Sequence, residues 1–206
     1  MMQTNNKKGL LFIISGPSGC GKGTVCNELL ARNKELKLSI SATTRDMRAG
    51  EQEGVTYFYI TKEEFEKLIE ENQLFEYNCG YSGKYYGTPK KYVFDNLDAG
   101  KDVILEIEMN GAAKVKEQYP DGILIFLAPP SLEELHSRLV GRGRESAELI
   151  AERFNEAKAE LQRVDSYDYA VVNDNLIEAV EDIEAIIRAE KLKVKIMSHK
   201  VKDLIK

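Results

Sequence analysis

The chain has 206 residues, of which 43% are apolar and 31% charged, with a formal net charge of −5 and a sequence pI near 5.3. This length predicts one domain, or one domain with a small insertion, and the composition is that of an ordinary globular protein. The acidic balance argues against a nucleic-acid binder, and the lack of a long apolar run argues against a membrane partner or a secretion signal, so we expect a cytoplasmic protein.

A glycine-rich segment, Gly16-Pro-Ser-Gly-Cys-Gly-Lys-Gly-Thr24, lies between the apolar run Leu10 to Ile14 and a helical pattern over about 23–32. Such a strand, loop and helix directs backbone N–H groups and a helix N-terminus at one place, which attracts an anion. A glycine turn that only packs a helix onto a strand is the alternative. We interpret the segment as a phosphate-binding loop whose residues are Gly16, Pro17, Ser18, Gly19, Cys20, Gly21, Lys22, Gly23 and Thr24.

Two side chains of this loop have expected roles. Lys22 should reach the β- and γ-phosphates of ATP. The position after the lysine, where such loops usually carry serine or threonine, is Gly23. We therefore expect the hydroxyl of Thr24, one residue later, to bind Mg²⁺.

The segment 41–92 changes to short polar strands, turns and aromatic residues, interrupted by one helical pattern from Lys62 to Glu71. This texture predicts an inserted lobe. Near its start, Arg45 and Arg48 lie beside hydroxyl side chains and precede Tyr57. Guanidinium forks match phosphate oxygens, so two arginines at this spacing favour binding of a monophosphate.

Apolar strand-like runs recur at 103–107, 123–127 and 170–172, and helical patterns follow over about 111–118, 131–141, 147–163 and 176–189. This alternation predicts an α/β fold of three layers, α/β/α, with a parallel sheet. The core would comprise residues 8–40 and 93–189. Two prolines before Ser131 predict a helix that begins there, with Ser131 as its N-cap.

Arginines and glycines alternate over 138–144, and Arg153 follows on the next helical pattern. In an acidic chain this arrangement predicts a mobile lid over about 138–153 that closes on phosphates, and a polar connection with solvated charges is the alternative. The tail, 190–206, holds six lysines among apolar residues. We expect a solvated terminal helix with one packed stripe rather than a basic interaction helix.

From about Leu10 to Ala189 the chain resembles the guanylate kinase family. The motifs that carry the resemblance are the phosphate-binding loop, Ser-x-x-Thr-Arg-x-x-Arg-x-Gly-Glu at 41–51, Tyr85-Tyr-Gly-Thr88, Glu106-Ile-Glu-x-x-Gly-Ala, Ala128-Pro-Pro-Ser131, Gly141-Arg-Gly143 and Val171-Val-Asn-Asp174. So many motifs in the same order do not coincide by chance.

The resemblance implies roles for individual residues. The acceptor phosphate would be held by Arg45, Arg48, Tyr57 and Tyr86. The guanine base would be surrounded by Ser41, Glu76, Thr88 and Glu108. The donor phosphates or the transferred group would be contacted by Lys22, Arg138, Arg142 and Arg153. The adenine side would be formed by Asn173 and Asp174. The same pair could also form a strand-ending turn and helix cap, and both roles can coexist.

Two of the residues expected around guanine, Glu76 and Glu108, are carboxylates, and they differ in how well they suit recognition of the base. A carboxylate at Glu76 can accept from both N1–H and the 2-amino group of guanine, whereas adenine presents an acceptor at N1, so the residue selects guanine. At Glu108 the family typically has aspartate, and the extra methylene changes its reach to the base. Glu106, at the carboxyl end of a predicted strand, would act through magnesium or a supporting contact.

The implied reaction is ATP-dependent phosphorylation of GMP to GDP with Mg²⁺, a step of purine nucleotide metabolism. ATP and GMP would be the partners, and a homo-oligomer is left open. One alternative is a ribose bisphosphate kinase of the same fold, which would not need the base-reading groups at Ser41, Glu76 and Thr88. An adenylate kinase is suggested by the local Gly-Lys-Gly-Thr string but not by the acceptor region. A non-catalytic interaction module can lose the lysine and hydroxyl that this chain keeps at Lys22 and Thr24.

Overall fold

The computed structural model describes residues 8–80, 83–141 and 147–205, apart from the side chains at 147, 199 and 200. The chain divides into two compact units, Met1–Ser15 with Asn33–Leu124 and Gly16–Arg32 with Ile125–Lys206. In chain order the elements are β1 (Leu11–Ser15), α1 (Lys22–Arg32), β2 (Lys37–Leu38), β3 (Ala42–Thr43), β4 (Phe58–Tyr59), α2 (Lys62–Glu70), β5 (Leu74–Cys79), β6 (Tyr85–Pro89), α3 (Lys90–Asp98), β7 (Val103–Glu106), α4 (Met109–Gln118), β8 (Ile123–Ala128), α5 (Leu132–Val140), α6 (Ala147–Leu161), β9 (Tyr169–Val172), α7 (Leu176–Lys191) and α8 (Val194–Lys202), with short 3₁₀ turns at Val164–Ser166 and Asp203–Ile205.

Parallel strands form the centre of the first unit, where β7 pairs with both β1 and β2. Every residue of β1 is buried, and so are the first three residues of β7. Continuous apolar strands of this kind are typical of a parallel sheet covered on both faces. Since parallel strands end at the same edge, the exposed Glu106 at the end of β7 and the start of α4 mark the edge where α/β proteins bind ligands.

A second sheet of the first unit has the strand order β4-β3-β6-β5. Strand β3 is parallel to β4 and antiparallel to β6, and β5 is antiparallel to β6. Helix α2, which begins with a capping box between Thr61 and Glu64, contributes Phe65 to a small core with Ala42 and Leu74. These elements lie within residues 41–92, the predicted lobe, whose bounds remain a prediction.

The second unit contains β9 and the part of β8 from Ile125 onwards, which pair in parallel from Ile125 opposite Tyr169 to Ala128 opposite Val172. Ser131 caps α5 by accepting from the backbone N–H of Glu134 at 3.1 Å, as predicted. Helices α5 and α6 share an apolar contact that is built from Leu135, Leu139, Ile150, Phe154 and Ala157. Parallel strands that alternate with helices confirm the predicted α/β fold class.

Two segments differ from the expectation. Helix α3 was not predicted, because only Val93 and Leu97, one turn apart, mark its buried face and aromatic residues surround them. In the tail, α8 confirms the helix, but the packed stripe is reduced to the half-buried Ile196 and Met197. Large exposed apolar side chains of the tail are Leu192, Val194, Val201, Leu204 and Ile205. Over the described part of the chain, no helix combines the length and apolar character that a membrane span requires.

Candidate active site

The phosphate-binding loop joins β1 to α1 and depends on glycine for its shape. Gly19 and Gly21 have φ values of 91° and 96°, which side-chain-bearing residues rarely adopt. A Cβ at Gly21 would collide with Nδ2 of Asn173, and one at Gly19 would lie 3.1 Å from Cδ1 of Leu135. Both positions therefore require glycine for backbone conformation and for close packing.

Lys22 is the first residue of α1, and its side chain folds back over the loop. Its Nζ donates to the carbonyl of Gly16 at 2.6 Å and to that of Pro17 at 3.2 Å. The ammonium is thus held beside the loop residues predicted to bind phosphates. Because a lysine ammonium has three rotatable donors on a flexible stem, it can exchange these carbonyls for phosphate oxygens without a backbone change.

Asn173 connects the loop to the helix that carries Arg138. Its side chain is almost fully buried, and Nδ2 donates to the carbonyl of Cys20 at 2.8 Å. The backbone carbonyl of Asn173 accepts from Nη2 of Arg138 at 3.2 Å. Nε of Arg138 donates to the carboxylate of Glu134 at 2.8 Å. The helix-cap interpretation of Asn173 and Asp174 is wrong, because Asn175 caps α7 by accepting from the backbone N–H groups of Ile177 and Glu178.

Six of the predicted donor-side residues line a cleft of about 340 Å³. It is lined by Gly19, Gly21, Thr24, Arg138, Asn173, Asp174 and Leu176. Arg153 is half-buried on α6 and is not part of this lining. Arg142 lies outside the described residues. The cleft therefore combines a helix N-terminus, a hydroxyl and an arginine, which suits a phosphate chain with a metal ion.

The acceptor-side residues of the first unit surround a cavity of about 790 Å³. The predicted residues on its wall are Ser41, Tyr57, Glu76, Tyr86, Glu106 and Glu108. Thr88 is fully buried behind Glu76, and its hydroxyl donates to Oε1 of that carboxylate at 2.6 Å. The structure therefore gives Thr88 a contact with Glu76 rather than a place on the cavity wall.

The environment of Glu76 controls its charge. Burial raises the pKa of Glu76, while the Thr88 hydroxyl and the charge of Lys114 lower it and the charge of Glu108 raises it further. Gly111, on α4, makes the room for this carboxylate, because a Cβ there would lie 3.1 Å from Cγ of Glu76. A desolvated carboxylate with one oxygen held by Thr88 is a strong acceptor for paired N–H groups of a ligand.

The phosphate-binding residues expected in the lobe form an aromatic and guanidinium cluster. The guanidinium of Arg45 lies 5.1 Å from the centre of the Tyr57 ring, and the Tyr57 and Tyr86 rings are 6.0 Å apart. Tyr57 and Tyr86 line the cavity, and Arg45 lies next to them without being part of the wall. Arg48 is exposed, and its backbone N–H donates to Glu51 at 2.8 Å.

Known proteins similar to this chain establish its family. A family model described as guanylate kinase matches residues 8–190, well over half of the sequence. The chain belongs to the guanylate kinase family. It is 55% identical to a guanylate kinase of Oceanobacillus iheyensis over 91% of this chain and 90% of the relative. It is 54% identical to one of Caldanaerobacter subterraneus over 91% of each chain. The crystal structure of guanylate kinase from Anaplasma phagocytophilum is similar with a TM-score of 0.71 and 34% identity, covering 91% of this chain and 88% of that chain.

Two charged residues of this guanylate kinase family member were not among the predicted site residues. Glu51 ends the arginine motif, and in the structure it binds the side chain of Arg45. Lys114 lines the cavity one turn after Gly111, with Nζ 5.7 Å from the centre of the Tyr77 ring. The available signal for Glu51 was its place as the last residue of the arginine motif at 41–51, and no sequence motif marked Lys114.

Proposed function

We propose that this chain transfers the γ-phosphoryl group of ATP to GMP and releases ADP and GDP. The observation that carries the proposal is the half-buried carboxylate of Glu76 on the wall of the acceptor cavity. One of its oxygens is held by Thr88 at 2.6 Å, and the group is largely withdrawn from water. A carboxylate in this setting requires a ligand that donates hydrogen bonds, because burying it unmatched is costly.

Guanine meets that requirement. Its N1–H and 2-amino group lie on one edge and both donate, whereas N1 of adenine is an acceptor that would repel the carboxylate. We assign base recognition to Glu76, with Ser41 and Glu108 on the same wall and Thr88 as support. Arg45, Arg48, Tyr57 and Tyr86 would hold the phosphate of GMP, and the cluster of the Arg45 guanidinium with the rings of Tyr57 and Tyr86 beside the cavity supports this.

On the donor side, the loop Gly16 to Thr24 would hold the phosphates of ATP, with Asn173 and Asp174 on the adenine side. No covalent intermediate is needed, because phosphoryl transfer is accelerated by alignment and by neutralisation of charge on the moving group. The groups that would supply the positive charge are Lys22, Arg45, Arg138, Arg142 and Arg153. A lobe over 41–92 and a lid over about 138–153 would exclude water during transfer.

Mg²⁺ is the metal that ATP chemistry of this kind uses, and the chain's residues fit it. Among residues 8–80, 83–141 and 147–205, no three His, Cys, Asp or Glu side chains form a metal-binding group. That is compatible with Mg²⁺, which keeps several waters and is bound through nucleotide phosphates with few protein ligands. The exposed hydroxyl of Thr24 in the donor cleft is the protein ligand we propose. When bound, the ion would neutralise charge on the β- and γ-phosphates.

We also propose that the chain acts in the cytoplasm on free ATP and GMP. Cys20, Cys26 and Cys79 all lie in the described part of the chain and form no disulfide, which suits a reducing compartment. Sedimentation of the purified chain measures its oligomeric state and tests for a homo-oligomer.

A coupled assay with ATP and Mg²⁺ tests the proposed function by comparing four acceptors, GMP, dGMP, AMP and ribose bisphosphate. We expect GMP to be converted with one ADP formed per GDP, and AMP and ribose bisphosphate to be far poorer acceptors. Preferred use of ribose bisphosphate would indicate the alternative kinase of the same fold. Nucleotide binding without turnover of any acceptor would indicate a non-catalytic module.

A further inference from the structure

Glu51 binds three neighbours at once in the lobe of the first unit. Its two carboxylate oxygens accept from Nη1 and Nη2 of Arg45 at 2.6 and 2.5 Å. The same carboxylate accepts from the backbone N–H of Arg48 and from the hydroxyl of Tyr59, both at 2.8 Å. A carboxylate with this many donors is fixed in position and orientation.

This ion pair differs from an ordinary surface salt bridge. The side chains of Arg45 and Glu51 are 11% and 18% exposed, so solvent screens them little. Arg45 above all, and then the Arg48 backbone N–H, lowers the pKa of Glu51 to about 2. The carboxylate therefore stays ionised, and the contact persists, at every pH at which the enzyme would be assayed.

The geometry of the pair leaves one side of the guanidinium for a ligand. A guanidinium has five N–H groups and two edges that can bind an oxyanion with two parallel hydrogen bonds. Glu51 takes the edge formed by Nη1 and Nη2, and Nη1 also donates to the carbonyl of Asp46 at 2.9 Å. The other edge, formed by Nε–H and the second N–H of Nη2, is not used by Glu51, and the further side chain that stabilises the charged guanidinium is Tyr86, which itself lines the acceptor cavity. The rings of Tyr57 and Tyr59, at 5.1 and 5.6 Å, fix the plane of the group.

We propose that Glu51 is a positioning residue, which holds Arg45 by one edge so that the opposite edge is presented to the phosphate of the acceptor nucleotide. This inference rests on the proposed function, in which that nucleotide is GMP. The alternative is that the Glu51 carboxylate competes with the phosphate for Arg45, so that Glu51 must release the guanidinium before the phosphate binds. The two possibilities predict opposite changes in affinity when the charge of Glu51 is removed.

The test is the variant Glu51→Gln, with steady-state kinetics and calorimetric titration of GMP in the absence of ATP. Positioning predicts that KM and Kd for GMP rise roughly tenfold or more, since a charge-assisted contact is lost. The affinity for ATP should not change, and kcat at saturating GMP should fall far less than KM rises. Glu53→Gln is the matched control, because it removes the same charge from a carboxylate that accepts only from the Tyr59 backbone among its described contacts, at 2.9 Å. It should leave KM for GMP within about twofold of the original chain.

Tyr59→Phe keeps the ring and removes only the hydroxyl that donates to Glu51, so it should raise KM for GMP in the same direction by a smaller factor. Melting temperature and circular dichroism show whether Glu51→Gln folds. If it does not, the KM of Tyr59→Phe for GMP tests the positioning role instead. Tighter GMP binding by Glu51→Gln would overturn positioning in favour of competition, and unchanged binding would leave Glu51 with a structural role only. Failure of the unaltered chain to bind or convert GMP would instead overturn the proposed function.

Discussion

Replacing Glu76 with glutamine keeps the shape of the side chain and removes its charge. In the structure Oε1 of Glu76 accepts from the Thr88 hydroxyl at 2.6 Å, and an amide oxygen can continue to do so. The other carboxylate oxygen becomes an NH₂ group, which faces the N–H groups of guanine as a donor opposite donors. Recognition of the base edge is therefore lost, while the cavity keeps its shape.

The expected size of the effect follows from the contact that is lost. A hydrogen bond to a charged group contributes about 1.5–3 kcal/mol, which corresponds to a decrease of roughly 10- to 150-fold in kcat/KM for GMP. The affinity for ATP should stay the same, because the donor residues lie in a different cleft. The kcat/KM for AMP should not decrease, because the NH₂ group of the glutamine is a donor opposite N1 of adenine.

The assay is steady-state kinetics with GMP and AMP for the original chain, Glu76→Gln and a matched control. Glu70→Gln provides the control, because Glu70 is an exposed carboxylate at the end of α2 with the same charge. An unchanged ratio of kcat/KM for GMP over AMP in Glu76→Gln would refute the assignment of base recognition to this carboxylate.

Three further predictions concern residues around the two sites. Lys22→Ala should abolish detectable transfer to GMP and to poor acceptors alike while the fold is kept, because the loop loses its ammonium, and retained turnover in the coupled assay would contradict this. Gly111→Ala should raise KM for GMP several-fold, since its Cβ would lie 3.1 Å from Cγ of Glu76 and displace the carboxylate by a few tenths of an ångström; an unchanged KM would show that the carboxylate tolerates the shift. Because the pKa of Glu76 is raised in the folded protein, Glu76 binds its proton more tightly there than in the unfolded chain. The contribution of this proton to the free energy of unfolding is therefore lost as pH rises through the pKa of the folded state. The melting temperature of Glu76→Gln minus that of the original chain should therefore increase between about pH 4 and pH 7, and a difference that decreases would contradict the direction of the shift.

The parts of the fold that sequence patterns predicted are those set by local chemistry. The continuous apolar run before the loop identified β1, and the prolines before Ser131 identified the start and cap of α5. The glycines of the loop could be assigned because a positive φ at Gly19 and Gly21 is a property of the backbone itself. In each case a few adjacent residues contain the signal.

The parts that sequence patterns did not predict depend on contacts between distant residues. Thr88 was expected at the base, yet its hydroxyl meets Glu76, twelve positions earlier, because β5 and β6 are paired strands. Arg45 and Arg48 looked equivalent, but only the side chain of Arg45 is held by Glu51. Capping of α7 by Asn175 rather than Asp174 depends on the backbone geometry of a single turn. Such distinctions require the packed structure.

The most direct test of the account is the ratio of kcat/KM for GMP to that for AMP, measured on the purified chain with ATP and Mg²⁺. A half-buried carboxylate that accepts from both N–H groups of guanine predicts a ratio of at least about 100, because adenine leaves the acceptor unmatched and opposes it with a lone pair. A ratio near one would contradict the central claim that Glu76 selects the acceptor base.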